Sequence, residues 1–520
     1  MLTKKSAQEA LLLSPESSSL YVQSSYDSTA SVEDDSFVEL RLTASCGGVL
    51  GRVKVFEDAS FSFSPHEDPT FKPDLLYQCC CGGQSIDLQV PGQDVVGATV
   101  EGERGFKLWF CRSPSKHQSK PVRKLECSQV FQTGSAAEAK RCQVTLQQSA
   151  SWGRQSRPRR VTVIINPKSG QGRSKAMFHS PDIQSIFKAA GLSLTVWETD
   201  RPGHASEMVK QLDLAACDVL VTVGGDGTVH EALQGLLGRP DWQEAAKLPF
   251  AMLPTGSGNA LAANTGMWDV VTAAYAICKG RIRSIDIVSV LQPPSTRFYA
   301  FLSLNFGLVS NLDIGTENLR WMGNLRFTLG AIQQILQGKT HQAHIAVLPL
   351  AQADTVLQHA AVDDSAGGEV EGSGLRGHHP EGPPLPLLDA FLSQTSSSAW
   401  PAQLPDGWEN VDGAALQLCA ACNLPWLDTS FLLAPDAEMD SGCLDLIYTG
   451  LAGKLEGLQM MTKVETGSHM GMSLVHCKKV CALVLQPIST GTWLVLDGET
   501  IPYERVYAEV HKSLCQVIVA

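Results

Sequence analysis

The stretch Asp218–Thr228, DVLVTVGGDGT, decides the fold. A short, continuous β-branched run of this kind reads as a strand buried on both faces, as in a parallel sheet. Three glycines around one acid follow it, and a helical pattern then runs to Leu237. Glycines accept positive φ and let backbone approach a phosphate closely, while the next helix offers unpaired N–H groups. An acid in such a turn is unfavourable beside polyphosphate unless it works on a metal or a proton. Asp-Gly is also common in plain tight turns, so this stretch alone supports either reading.

Two more turns shift the balance. Val161–Ile165 is another β-branched run and leads into Asn166-Pro167-Lys168-Ser169-Gly170-Gln171-Gly172. A helix-like segment then continues to Ala190, with a strand at Ser193–Glu198 and a helix from His204 to Leu212. The third turn is LPTGSGNALA at 253–262, ahead of an Ala-rich helix. Strands alternating with helices predict a doubly wound parallel α/β domain over 158–285, with its turns where open sheets bind ligands. Three phosphate-capable turns so close together are hard to explain by packing alone. GxxxxGK[ST] is absent, which excludes a Walker A enzyme.

Beyond residue 285 the pattern becomes strands: Ile285–Leu291, Phe298–Phe306, Ala343–Leu348, Leu416–Ala421, Cys443–Tyr448, Lys479–Leu485 and Trp493–Leu496. They predict an antiparallel β-sandwich over 286–520. Within it, 351–408 is rich in Gly, Pro, Ser and acids and reads as a disordered surface insertion, Pro383–Pro386 included. At the other end, Ser-rich 1–35 reads as disordered, and 36–150 as a mostly-β module. Its last part, Ala136–Leu146, fits either a closing helix or a further strand. The former would suggest a pleckstrin-homology-like module.

Composition narrows the function. Over 520 residues, 43% are hydrophobic and 18% charged, which excludes a wholly disordered or coiled-coil chain. The net charge of −12 argues against a nucleic-acid partner. Fifteen cysteines form no paired CxxC knuckles, which points away from zinc and toward a reducing, cytoplasmic setting. No apolar run reaches the length of a bilayer span.

GGDGT at 224–228, the Asn166–Gly172 turn and LPTGSGNALA together resemble the diacylglycerol-kinase catalytic domain. Within that group, HEALQGLLGRPDW (230–242), LSLNFGLVSNLDI (302–314), RWMGNLRFTLG (320–330) and LDGE (496–499) look like sphingosine kinases, with a plant-type leaning. The resemblance spans 158–345 and 416–520. It implies an α/β nucleotide domain, a lipid-binding β-sandwich and ATP-dependent phosphorylation of a sphingoid base on its primary hydroxyl, with Mg²⁺. Asp226 matches the catalytic acid, the general base toward that hydroxyl. Nucleotide-site positions fall on Asn166, Lys168, Ser169, Gly170, Thr199, Gly224, Gly225, Gly227, Thr228, Thr255, Gly256, Ser257, Gly258, Asp497, Gly498 and Glu499. Arg320 and Arg326 match phosphate contacts. Asp313, with Ser303 nearby, matches the acid that holds the substrate's amine. A second acid of the pattern is replaced by Asn311, and a further one by Gly315. Phosphoryl transfer needs positioning and charge neutralisation more than covalent chemistry, so these residue types suit it.

The resemblance further implies peripheral attachment to intracellular or plasma membranes and leaves a homodimer open. The alternatives are a ceramide or diacylglycerol kinase, an NAD kinase sharing GGDGT, and a lipid-binding scaffold without activity. Several residues receive plainer readings. Cys79–Cys81 read as half-buried members of the β module rather than palmitoylation sites, His378-His379 as solvated, and His230 as structural. Met460, Met461, Met470 and Met472 suit either core packing or the wall of a lipid pocket.

Overall fold

The computed structural model describes residues 40–46, 49–55, 60–65, 88–114, 120–150, 159–315, 325–364, 382–395 and 399–520. The expectations for 1–35, Cys79–Cys81, His378-His379 and Arg320 lie outside the described residues.

Four parallel strands form the nucleotide domain, in the order Ser193–Glu198, Arg160–Ile165, Val219–Gly224 and Phe250–Pro254. Every residue of Val219–Gly224 is buried, as a central strand covered on both faces by helices requires. The last strand of the chain, Val506–Val519, returns to this domain and pairs parallel with Phe250–Pro254. It also pairs antiparallel with Arg281–Gln292, over ten residue pairs, and with His476–Pro487. Two long strands therefore run through both domains, and Cys515, Val517 and Ile518 complete the nucleotide-domain core.

The second domain is antiparallel, with Ser303–Gly307 between Leu418–Cys422 and Leu494–Leu496. Leu304 and Phe306 point into the sandwich core beside Leu446 and Leu483. The opposite face carries Leu308–Gly315 and Lys454–Val464, whose apolar residues cluster with Leu418 and Ala420. One predicted strand differs: Phe298–Phe306 is two strands, Thr296–Ala300 and Ser303–Gly307. The break falls at Phe301 and Leu302, whose N–H groups donate to the Asp497 carboxylate instead of to a neighbouring strand.

The expected disordered insertion at 351–408 is corrected in its described parts. Ala353–Asp364 and Pro386–Gln394 are helices. In the second, Leu387, Leu388, Phe391 and Leu392 are buried against Tyr507 and Val484. Pro386 opens the helix at N1, where a missing N–H costs nothing. The Leu387 and Leu388 amides donate to buried Glu509. The short apolar repeat LPLLDAFL therefore outweighs the loop-like composition around it.

The described residues of the N-terminal module form a seven-stranded antiparallel sheet. Ala136–Ala150 is a helix, with Ala139, Cys142, Leu146 and Ala150 buried at helical spacing. Phe61, Phe106 and Phe131 pack around centroid separations of 5.2–6.3 Å. The module docks on the nucleotide domain. Lys279 Nζ donates to the Gly92 and Ala150 carbonyls at 3.1 and 3.0 Å, and burial lowers its pKa to about 8. A Cβ on Gly97 would lie 2.1 Å from the Ala189 carbonyl oxygen, so glycine permits this close contact.

If the Pro386–Gln394 helix is part of the core, Phe391→Ala should lower stability by about 3–5 kcal/mol, the cost of emptying a buried aromatic site. Chemical unfolding monitored by fluorescence measures it. A change within about 0.5 kcal/mol, as for a solvated surface position, would return the segment to the loop reading.

Candidate active site

The three glycine turns interlock. The Gly224 carbonyl accepts from the Thr255 and Gly256 amides, both at 3.0 Å. A Cβ on Gly256 would lie 2.4 Å from Gly225 Cα, and one on Gly170 would lie 2.3 Å from the Thr255 carbonyl oxygen. Glycine is therefore needed where these backbones touch. Asn259, at φ +55°, closes the third turn by exchanging two hydrogen bonds with the Gly256 backbone. Asn166 joins the first turn to the second, with Nδ2 donating to Thr228 Oγ1 at 3.3 Å.

Asp226 begins the helix Asp226–Leu237. Its two carboxylate oxygens accept from the Ala260 and Leu261 amides at 2.8 and 3.0 Å. The second and third turns thus meet on this side chain. Burial pushes its pKa up to about 6; the two amides oppose that rise, and the nearby Asp497 charge adds to it. A carboxylate poised there remains ionised at neutral pH yet is basic enough to take a proton.

Asp497, at φ +51° and 1% exposed, holds the second domain against this centre. It accepts from the Phe301, Leu302 and Ser303 amides at 2.9–3.1 Å, and His230 Nδ1 donates to it at 3.1 Å. His230 thus ties the helix that begins at Asp226 to Asp497. Glu499 follows, with its carboxylate over Gly227: a Cβ there would lie 2.5 Å from Oε1.

A cavity of about 750 Å³ opens between the domains. One end is lined by Asn166, Lys168, Ser169 and Gly170, by Gly225, Asp226, Gly227 and Thr228, by Gly256, Ser257 and Gly258, and by Asp497, Gly498 and Glu499. The remaining lining is mainly apolar, with Val309, Leu312, Ile332, Leu427, Phe431, Leu458 and Met461, but Asp428, Ser430, Thr462 and Glu465 stand among them. Ser303 also lies on the wall.

Three expected nucleotide-site residues do not line the cavity. Thr199 is buried with its amide and hydroxyl on the Ile165 carbonyl. Thr255 pairs its hydroxyl with Ser174 at 2.8 Å, and Gly224 serves through its carbonyl. All three fix turns rather than face the space between them. Asp313 lies on the helix Leu308–Gly315 and Arg326 on Leu325–Gln337. Asn311 bridges Thr492 at 2.9 Å and His341 at 3.5 Å, as a buried structural residue outside the cavity lining. Met461 lines the cavity and Met460 packs beside it. Sequence reasoning missed Asp428 and Asn305, both buried and both on the cavity wall. Neither lies in a glycine turn, and strand alternation around Leu304 and Phe306 was the only available signal for Asn305.

Residues 160–290 match the diacylglycerol kinase catalytic domain, and 406–519 match the YegS C-terminal NAD kinase beta sandwich-like domain. Over these two stretches the chain is similar to those families. It is 32% identical over 336 residues to "Sphingosine kinase 1" of Arabidopsis thaliana, covering 64% of this chain and 65% of that one. It is 28% identical to "Sphingoid long chain base kinase 4" of Schizosaccharomyces pombe, covering 89% and 95%. It is 29% identical to "Sphingosine kinase 1" of Homo sapiens, covering 69% and 90%. The match to the first of these thus spans just under two thirds of that relative's length. A solved putative diacylglycerol kinase from Bacillus anthracis aligns with a TM-score of 0.47 at 15% identity, over 71% of this chain and 97% of that one.

Because Gly256 meets Gly225 backbone to backbone, Gly256→Ala should weaken binding of a non-hydrolysable ATP analogue at least tenfold, about 1.4 kcal/mol. Calorimetric titration reads this. Unchanged affinity would mean that the two turns need not touch for the nucleotide to bind.

Proposed function

We propose that the chain is an ATP-dependent sphingoid-base kinase, moving the γ-phosphoryl group to the base's primary hydroxyl. The observation carrying this reading is Asp226, held beside the phosphate-capable turns in a cavity whose remaining lining is mainly apolar. The hydroxyl oxygen attacks the γ-phosphorus, the bond to ADP breaks, and the hydroxyl proton passes to the Asp226 carboxylate. Backbone amides of the turns, with Lys168, stabilise the phosphates. Thr228 and Ser257 border the same space, and Arg320 and Arg326 are the proposed phosphate contacts from the second domain.

Magnesium fits the donor set as a companion of the nucleotide. Among the described residues no group of three acids, histidines or cysteines could hold a metal, whereas Mg²⁺ commonly needs one or two carboxylates plus phosphate oxygens. Glu499, whose carboxylate lies over Gly227, is the residue beside the turns that would supply one. When bound, the ion would neutralise charge on the phosphates.

Asp313 is the proposed partner of the substrate's ammonium, which ceramide and diacylglycerol lack. The names of the plant, fission-yeast and human relatives support the same substrate class. Peripheral membrane attachment is proposed at the mainly apolar part of the cavity. No described helix is long and apolar enough to cross a membrane. The helix that supplies Met461 to the cavity also carries Leu455, 70% exposed. Alkaline carbonate should therefore release the protein from membranes; retention in the pellet would contradict peripheral attachment.

Radiolabelled ATP offered with sphingosine, 4-hydroxysphinganine, ceramide and diacylglycerol separately tests the substrate. Label should enter the first two; label in ceramide or diacylglycerol alone would overturn the reading. Asp226→Asn should retain ATP binding while reducing turnover about 10²-fold or more, the usual contribution of a positioned base. A near-wild-type kcat would remove Asp226 from the proton transfer.

A further inference from the structure

Trp426–Asp428 and Phe431–Leu432 pair antiparallel as a small hairpin of their own, outside the two large sheets. Leu427, Asp428, Ser430 and Phe431 line the cavity. Leu427 and Phe431 also pack on the apolar cluster that holds Leu308, Leu312 and Met460. A two-stranded hairpin is marginal on its own in water, so its place must be set by what lies behind it. Asn264 Nδ2 donates to the Trp426 carbonyl at 2.7 Å, and its Oδ1 accepts from the Trp426 amide at 3.0 Å. The Trp426 ring meets the Trp268 ring edge to face, with centroids 5.5 Å apart.

Behind Trp268 stands the N-terminal module. Lys120 Nζ lies over the Trp268 ring, 5.6 Å from its centroid. Arg123 pins the same segment to the nucleotide domain. Its amide donates to Thr272 Oγ1 at 2.9 Å, and its guanidinium lies 4.0 Å from the Tyr275 ring centroid. Burial raises the pKa of Asp428, while hydrogen bonds from Ser430 and the Lys120 charge oppose the rise. The module's cation is therefore felt at the cavity wall.

We propose that the N-terminal module is a positioning element for the site: Lys120, through Trp268, seats the hairpin Trp426–Leu432 and so tightens binding of the lipid substrate. For the identity of that lipid this rests on the sphingoid-base reading above. The nucleotide turns have their own support. The third is closed by Asn259 on Gly256 and held by the Gly224 carbonyl and Asp226. It meets the hairpin through the Thr429 amide, which donates to the Gly258 carbonyl at 3.3 Å. A loosened hairpin therefore costs lipid affinity before ATP affinity.

The test uses the full chain as wild type, Lys120→Met and Lys120→Arg. Lys120 is exposed, so neither change should disturb folding. A cation–π contact at an exposed site is worth roughly a two- to fivefold effect. Lys120→Met should raise KM for sphinganine by that factor, with kcat and KM for ATP near wild type. Lys120→Arg, which keeps the cation, should restore the wild-type value. Hydrogen–deuterium exchange at 426–432 should quicken by a similar factor in Lys120→Met, while Val219–Gly224 keeps its rate. Unchanged exchange at the hairpin overturns the positioning role, and faster exchange with an unchanged lipid KM overturns its part in binding. An equal rise in KM for ATP marks a general packing effect and overturns it too. If wild type phosphorylates no sphingoid base, the substrate reading falls, and the exchange comparison still decides whether Lys120 seats the hairpin.

Discussion

The carboxylate of Asp497 is enclosed where water hardly reaches, and it accepts four hydrogen bonds: three from consecutive amides, Phe301 to Ser303, and one from His230. Such a charge is tolerable only when its acceptor capacity is filled. Here the filling has structural consequences in both domains. The amides are withdrawn from strand pairing, so the polypeptide bends between Thr296–Ala300 and Ser303–Gly307. The bend turns Ser303 and Asn305 toward the cavity, and His230 ties the arrangement to the helix that begins with Asp226. The distance between the phosphate-capable turns and the cavity-facing strand is therefore fixed by one buried cluster of hydrogen bonds around Asp497. The long strands Arg281–Gln292 and Val506–Val519 reinforce it by running through both domains.

Two further buried acids show how environment divides similar side chains into different tasks. Asp226 and Glu509 both have raised pKa values, with burial as the leading cause, to about 6 and about 8. Both also accept a pair of backbone amides. Asp226, however, lines the cavity, whereas Glu509 lies under the Pro386–Gln394 helix with Phe391 and Tyr507 close by. The first is accessible to a substrate proton, and the second anchors a helix.

The glycine turns were legible in the sequence because their chemistry is local: a β-branched run, glycines and a helix start within about a dozen residues. Fold class followed from the same alternation. Contacts formed across long separations were not legible. Nothing near Asp497 in the sequence announces that it receives amides from residues 194–196 positions earlier. Thr199 and Thr255 have suitable chemistry for a phosphate, yet the fold spends their hydroxyls inside the protein. The helix at Pro386 was hidden by the Gly, Pro and Ser around it, since its stability comes from burial against Tyr507 and Val484 rather than from propensity. Asn311 is the converse case. A residue that departs from the expected acid proves to bridge Thr492 and His341 away from the cavity, so its neutrality takes nothing from the candidate site.

The central claim is that Asp226, poised by burial against two amides, accepts the proton of the lipid hydroxyl. The pH dependence of kcat/KM for the sphingoid base tests it most directly, measured from about pH 5 to pH 8 on wild type and Asp226→Asn. A base must be ionised to act, so wild-type kcat/KM should fall as pH drops through about 6, the raised pKa of Asp226, and level off above it. The Asn variant should retain low activity without that limb. A limb near pH 6 that persists in Asp226→Asn, or a wild-type profile flat across the range, would contradict the assignment.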